Sequence, residues 1–589
     1  MPSQRPRAAR RRAAPAPAPA ARPRRARYLP LLGLFALVVA IYANSLANDF
    51  VFDDHTLLDF NPEVNPAIAG AIEQRAIEYR PFRTLSYVLD RQIGGHHPAA
   101  YRAGNLVYHA LTGGLALAVY RQLGFSPLTA LLGAAFFVSH PVQSESVAYV
   151  SGRRDVLCGL FVLLAFSFLL RWRAQRRWWQ LALAGAALAM GALTKEVAFG
   201  FPLLVLAYDV TIAPAQRRPA APESSRWAGA RLALKEQRLV YLLLAGFTAA
   251  ALAYFAVVGL PSERGWWGGT LATNFLNVAL LWVHSAVVLL FPLRLLADYS
   301  FEAVPLIHRA AAPLAWAAVA ALLALLALAW GQRQRAPRAA FLLFWSGAAL
   351  LPSSHVFPHH DFWAEHYLYV PLFGFAGLLA LAIARVGRQL GAARRSVTLA
   401  GALVVTLYGL RTVVRNRDWR DELTLWRVTS AAAPRCARAR ANHGGALLAR
   451  TDLDNAEREF RASRAIKPLV SATSGLVMIA HAKGRFAERD RLLRRLETGR
   501  NVSYTNLLSL AGWFLINKEY PLALEVAQYA AKRPNADDRA ATIEGWASAR
   551  SGQLDQACAL FEQALQRNSG SRDARAGRDY CRQQRALGN

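Results

Sequence analysis

Two adjacent carboxylates, Asp53 and Asp54, stand in the segment Asn48-Asp49-Phe50-Val51-Phe52-Asp53-Asp54-His55, just beyond a long apolar run. A charge at the edge of a bilayer is costly unless it has a partner or a task. A carboxylate there could take a proton from a hydroxyl, or hold a divalent cation on a phosphate. It could equally cap the next helix or pair with Arg80 or Arg83.

Similar groups recur at the edges of other apolar runs. His140-Pro141-Val142-Gln143-Ser144-Glu145 precedes Gly152-Arg153-Arg154-Asp155, and Lys195-Glu196 interrupts an otherwise apolar stretch. The segment 353–366 holds His355, His359, His360, Asp361, Glu365 and His366. No HExxH or related metal spacing appears among them. Any one of these groups alone reads as a satisfied interfacial side chain, and their convergence on one face suggests a shared cavity. The four cysteines (Cys158, Cys436, Cys558, Cys581) lack CxxC and zinc spacings, so neither a metal site nor a disulfide framework is expected.

The elements that would position these groups are membrane helices. Hydrophobic residues make up 54% of the chain and charged ones 18%, below the roughly 25% of soluble domains. Apolar runs alternate with short Arg-rich segments as far as Arg415. The net charge of +31 therefore reads as the positive-inside bias and counter-charge to lipid headgroups rather than as nucleic-acid binding. Residues 1–27 carry nine Arg and no acid, and are expected to be a disordered cytoplasmic tail. The run 28–46 reads as a retained first membrane helix rather than a cleaved signal.

Candidate spans are 28–46, 105–121, 127–141, 155–171, 179–194, 197–211, 239–260, 273–296, 312–330, 339–352, 367–385 and 397–414. The N-terminal tail, Arg171–Arg177 and the loops 216–238, 332–338 and 384–395 are the basic ones and should face the cytoplasm. That leaves the external loop 47–104, the segments 141–154 and 353–366, and everything after Arg415 outside. Such a tail needs an odd number of crossings, and twelve is even. The segment 273–296, with Pro292 near its end, is the one expected to be re-entrant or doubled.

After Arg415 the pattern changes to helical repeats. Ala456, Arg489, Ala523 and Ala557 recur at spacings of 33, 34 and 34, followed in phase by Phe460, Leu493, Ala527 and Phe561, then by Ser463, Leu496, Ala530 and Ala564. This is the tetratricopeptide (TPR) period, in which small and large side chains interlock paired helices. Its second unit is the most degenerate.

FxFDDH at 50–55, YRPFRTLSY at 79–87, Tyr101 with Asn105 and His109, HPVQSESVAYVSGRRD at 140–155, TKE at 194–196, AEHYLYVP at 364–371 and RNRDWRD at 415–421 precede the repeats in that order. Together they resemble the transmembrane-and-TPR protein O-mannosyltransferases and their bacterial relatives, over nearly the whole chain after residue 28. The resemblance implies an all-α, GT-C-like helix bundle of about 11–13 spans, residues 28–415, followed by an α-solenoid of TPR hairpins, residues 416–589. It also implies a glycosyltransferase that moves a sugar from a polyprenyl-phosphate donor to an extracytoplasmic hydroxyl.

By that resemblance Asp53 and Asp54 are the catalytic pair. Arg153, Lys195 and Arg80 would meet the lipid phosphate, and His55, His109, Glu145, Asp155, Glu196, Glu365 and His366 would line the cavity. No cofactor is required, with a divalent metal left open, and the TPRs would bind a protein or glycan acceptor or a partner. Two positions depart from the family's pattern, which commonly has Arg at His366 and His at Arg102, and the first makes a phosphate contact pH-dependent. High Ala and Arg usage suggests a bacterial inner membrane.

A non-catalytic TPR scaffold is the alternative, but an anchor needs one span. A transporter would place charges in mid-helix, whereas these acids sit at segment ends.

Overall fold

The computed structural model describes residues 28–59, 80–216, 226–258, 265–300, 303–355, 361–391, 393–499, 502–534 and 536–587. The basic tail 1–27, part of the loop 47–104, the centre of the 216–238 loop, and His359 and His360 lie outside these.

The membrane part runs α1 (Leu29–Tyr42), α2 (Pro81–Gly94), α3 (Pro98–Gln122), α4 (Pro127–Ser139), α5 (Ser144–Val147), α6 (Arg153–Gln175), α7 (Trp178–Ala192), α8 (Phe201–Gln216), α9 (Arg226–Val258), α10 (Leu271–Leu290), α11 (Pro313–Gln332), α12 (Pro337–Leu350), α13 (Pro371–Gln389) and α14 (Arg394–Asn416). Six of these helices begin on a proline (Pro81, Pro98, Pro127, Pro313, Pro337, Pro371). In a first turn proline removes an N–H that would have no partner anyway, so it starts a helix where in the interior it would break one. Among the described residues no strand occurs.

Contacts sort the loops onto two faces. On one, Arg338 donates to the Leu123 carbonyl and Arg173 pairs with Asp209, which also accepts from Tyr241 at 2.6 Å. On the other, Asp54 reaches Ser151, Glu145 reaches His366, and Glu365 reaches both Leu296 and Arg415. The acidic loop belongs to this second face.

By length and composition seven helices qualify as membrane spans among the described residues, and α10 is one of them. Its contacts place it differently. Asn274 donates to the His355 carbonyl, Trp282 to Ser354 Oγ at 2.7 Å, Ser285 Oγ accepts from Trp363, and His140 donates to the Leu289 carbonyl. Every turn of α10 therefore touches loops of the acidic face, while Phe275, Val287 and Leu290 are exposed on its other side. The helix lies along that face, as an interfacial element does. The segment expected to be re-entrant or doubled thus combines the composition of a span with the contacts of a face element.

The tail follows as α15 (Glu422–Ala432), α16 (Ala437–Leu448), α17 (Leu453–Ile466), α18 (Val470–Ala482), α19 (Phe486–Thr498), α20 (Tyr504–Ile516), α21 (Tyr520–Ala531), α22 (Asp538–Arg550), α23 (Leu554–Arg567) and α24 (Arg572–Ala586). A Cβ on Gly475 would come within 2.3 Å of the Phe460 ring, and one on Gly577 within 2.3 Å of the Phe561 ring. This is the interlock of small and large side chains that sets the repeat. Arg489, in the degenerate second unit, stays only half-buried.

The cysteine expectation is overturned at one pair. Cys558 on α23 and Cys581 on α24 form a disulfide, with a Cα–Cα distance of 5.8 Å. Their separation of 23 residues matches no short motif because it is set by the helical hairpin. The tail is fastened to the membrane part by Arg438, which pairs with Asp298 at 2.5 Å and Asp361 at 2.8 Å. Arg294 also donates to the Ala432 carbonyl.

Candidate active site

Three clamps shape the acidic loop. Arg102, fully buried on α3, donates to the carbonyls of Ala148, Asn48 and Asp49. The Asp49 amide donates to the Arg420 carbonyl at 2.8 Å. Phe52 has a positive φ of 54° and rests between the rings of Tyr149 and Trp426. A left-handed phenylalanine is strained, and it persists only where the surroundings over-determine it.

The two aspartates therefore differ. Asp54 is fully buried: one carboxylate oxygen accepts from Ser151 N at 2.8 Å and Ser151 Oγ at 2.6 Å, the other from Val51 N at 3.2 Å. Burial pushes its pKa up to about 6, against the pull of the Arg102 charge. Its lone pairs are spent holding the loop to the turn before α6. Asp53 is half-buried, its amide donates to Tyr149 Oη, and the residue lines a cavity of about 860 Å³. His55 and Glu422 line the same cavity, 4.0 Å apart.

The neighbouring arginines also part company. Successive helical residues point about 100° apart. Arg153 points inward and is fully buried, pairing with Asp90, donating to Asn105 Oδ1 at 2.7 Å, Ser86 and the Tyr101 carbonyl, and lying 4.5 Å over the Tyr87 ring. These partners engage four of its five N–H groups, and none of its surface is exposed. Arg154 faces Asp155, its Nε 3.6 Å from Oδ2 in an ion pair without a hydrogen bond, and it also feels the charges of Asp53 and Glu196. Beside it Lys195 pairs with Asp155 at 2.5 Å, and Arg80 with Glu196 at 3.2 Å.

Beneath this patch the His366 amide donates to Glu145 Oε2, and its Nδ1 lies 2.6 Å from Oε1. Burial and the Lys195 charge hold His366 well below the usual imidazole range, while burial raises the Glu145 carboxyl. Glu365 accepts from Leu296 N, Tyr299 Oη and Arg415, deep under the loop, and burial raises it too. His109 is a core group: its ring bridges Tyr369 Oη and the Val138 carbonyl.

The structure thus gathers Asp53 and His55 at one cavity, and Arg80, Asp155, Lys195 and Glu196 in an adjoining charged patch that also holds Arg154. Asp54, Arg153, His109, Glu145, Glu365 and His366 support from within. Among the described residues no group of three or more His, Cys, Asp or Glu could hold a metal ion.

Residues 75–218 match the profile of the family described as dolichyl-phosphate-mannose-protein mannosyltransferase. Over 575 residues the chain is 24% identical to the human protein O-mannosyl-transferase TMTC3, covering 90% of this chain and 60% of that one. The chain is thus similar to the protein O-mannosyl-transferases over most of its length. Drosophila melanogaster Tmtc1 is 26% identical over 537 residues, 75% of this chain and 62% of its own. The chain spans about three-fifths of the length of these curated relatives. Among solved structures, the yeast Tom70 crystal structure matches at a TM-score of 0.25 with 10% identity, over 78% of this chain and 85% of that one, too weak a likeness to bear on the fold.

Proposed function

We propose that this chain is a membrane glycosyltransferase that moves a sugar from a polyprenyl-phosphate donor to an acceptor hydroxyl. The carrying observation is the position of Asp53, which lines the cavity under the TPRs and whose charge acts on Arg154 of the patch that also holds Lys195 and Arg80. Asp53 takes the proton of the acceptor hydroxyl as that oxygen bonds to the sugar's anomeric carbon. The bond from that carbon to the phosphate oxygen breaks, with inversion, and the electron pair leaves on the lipid phosphate. Arg154, with Lys195 and Arg80 behind it, stabilises that charge. Asp54 acts as a positioning residue.

We read the acidic face and the TPR tail as extracytoplasmic and the N-terminus as cytoplasmic, with the membrane body ending near residue 415. Setting α10 aside as an interfacial helix leaves α1, α3, α4, α6 to α9 and α11 to α14 as crossings, an odd set that supports this reading, as does the Cys558–Cys581 disulfide, which is at home in an oxidising compartment. The residue usage supports a bacterial cytoplasmic membrane.

The test is sugar transfer by the reconstituted full-length protein from radiolabelled polyprenyl-phosphate sugars. Wild type should transfer label and Asp53→Asn should not, at equal folding; retained transfer in Asp53→Asn overturns the assignment.

A further inference from the structure

The cavity at Asp53 does not stop at the acidic loop. It runs on along the inner faces of α16, α18 and α20, as one space of about 860 Å³. Resting on the reading of Asp53 as the transfer base, we propose that this groove binds an extended, neutral-to-basic polypeptide segment and brings one of its hydroxyl side chains to Asp53.

Three observations carry this. The first is relief. Gly445, Ala446 and Ala449 line one wall, and a Cβ on Gly445 would meet nothing within 4 Å, so a backbone can come close. The aromatic rings that would stack a glycan are confined to the acidic-loop end, at Phe50, Phe52 and Trp426, apart from Phe460 at the base.

The second is unspent hydrogen bonding. Ser474 lines the groove with 8% of its surface exposed, and its buried hydroxyl has no hydrogen-bond partner among the described residues. A buried hydroxyl left without a partner is costly, and a small rotation toward a bound chain would supply one. Asn442 borders the same space, its amide without a hydrogen bond among the described residues, and Ser471 adds a hydroxyl along it. Amides and hydroxyls spaced along a groove suit the N–H and C=O groups of an extended chain.

The third is charge. In a chain of net charge +31, this groove is lined by Asp49, Asp53, Asp421 and Glu422 against Arg450. An acidic peptide is repelled here and a basic one attracted, increasingly so at low salt.

The experiment uses the full chain in nanodiscs and fluorescein-labelled unstructured peptides. Each peptide carries one central Ser or Thr, flanked by Lys, by Gln or by Glu. Anisotropy should show the Lys-flanked peptide binding at least tenfold tighter than the Glu-flanked one, with the gap narrowing as salt rises. Ser474→Leu should weaken binding at least tenfold. Because that change could disturb hairpin packing, exposed Ser471→Lys is the second variant: it should weaken the Lys-flanked peptide and strengthen the Glu-flanked one. Equal binding of all three peptides, or no effect of Ser471→Lys, overturns the proposal.

Asp53→Asn should abolish transfer yet keep most of the peptide binding, since Asp49, Asp421 and Glu422 still line the groove. Asp53-dependent transfer to a glycan acceptor without peptide binding would sink the groove and spare the transferase reading. Peptide binding without donor consumption by wild type would do the reverse.

Discussion

The Phe52 amide donates to Glu422 Oε1 at 2.5 Å, joining the strained residue of the acidic loop to the first helix beyond the membrane part. Glu422 also accepts from the Trp426 indole, whose ring packs on Phe52. Glu422→Ala should therefore lower kcat with donor KM nearly unchanged, since a misplacement of about 1 Å can cost about 100-fold. Glu422→Gln, which keeps an acceptor oxygen, should recover much of the rate. Equal rates for wild type and Glu422→Ala would remove it from the positioning of Asp53.

Asp54 predicts a pH signature in stability. Burial raises its carboxyl to about 6, above the roughly 3.9 of an unfolded aspartate. Between those values the folded state holds a proton that the unfolded state has released. The stability contributed by this group is thus complete below about pH 4 and lost as pH rises through about 6. The Tm difference between wild type and Asp54→Asn should shift against wild type across that window. A difference that is flat or moves the other way would refute the assignment.

The two arginines at the start of α6 should fail in different ways. Arg153→Ala strands Asp90 in a buried site, a loss of about 3–5 kcal/mol by the rule for broken buried pairs, and should appear as poor yield or a lowered Tm. Arg154→Ala should fold normally and lose transfer, with donor KM raised. Thermal unfolding and donor titration on the same preparations separate the outcomes.

For α10, single cysteines at Leu271 and Phe291 should both react with a membrane-impermeant maleimide from the side that labels Asp49→Cys. One at Arg335 should react only after permeabilisation. Native thiols give little background, because Cys158 and Cys436 are buried and Cys558 is bonded to Cys581. Labelling of positions 271 and 291 from opposite sides would restore α10 as a crossing.

Breaking the Cys558–Cys581 bond should loosen α24 in particular. Cys581→Ser is expected to cost about 2–4 kcal/mol and to speed proteolysis after α23. In wild type, alkylation before and after reduction should reveal two additional thiols.

Much of this was legible in the residues because apolar length and repeat period are local properties. The helices follow the apolar runs, and Phe460 and Phe561 sit against glycines in the phase that the spacing predicts. The partners of α10 were not legible: its composition suits a bilayer, and only the fold brings it to His140, Ser354, His355 and Trp363 on the acidic face. Arg153 and Arg154 look equivalent as letters, and their division of labour depends on Asp90, Asn105 and Ser86, brought from other helices. Likewise, Asp54 is separated from Asp53 by the turn at Ser151, 97 residues away.

The Asp298–Arg438–Asp361 fastening bears on how a site along an acceptor would be chosen. With α16 bolted to the membrane part, the offset between the groove and Asp53 is constant, as on a ruler. An acceptor seated in the groove is then measured by counting: the hydroxyl reached lies a set number of residues from the seated segment, whatever its immediate neighbours. Sliding the seated motif along a peptide should slide the modified position with it, in equal steps.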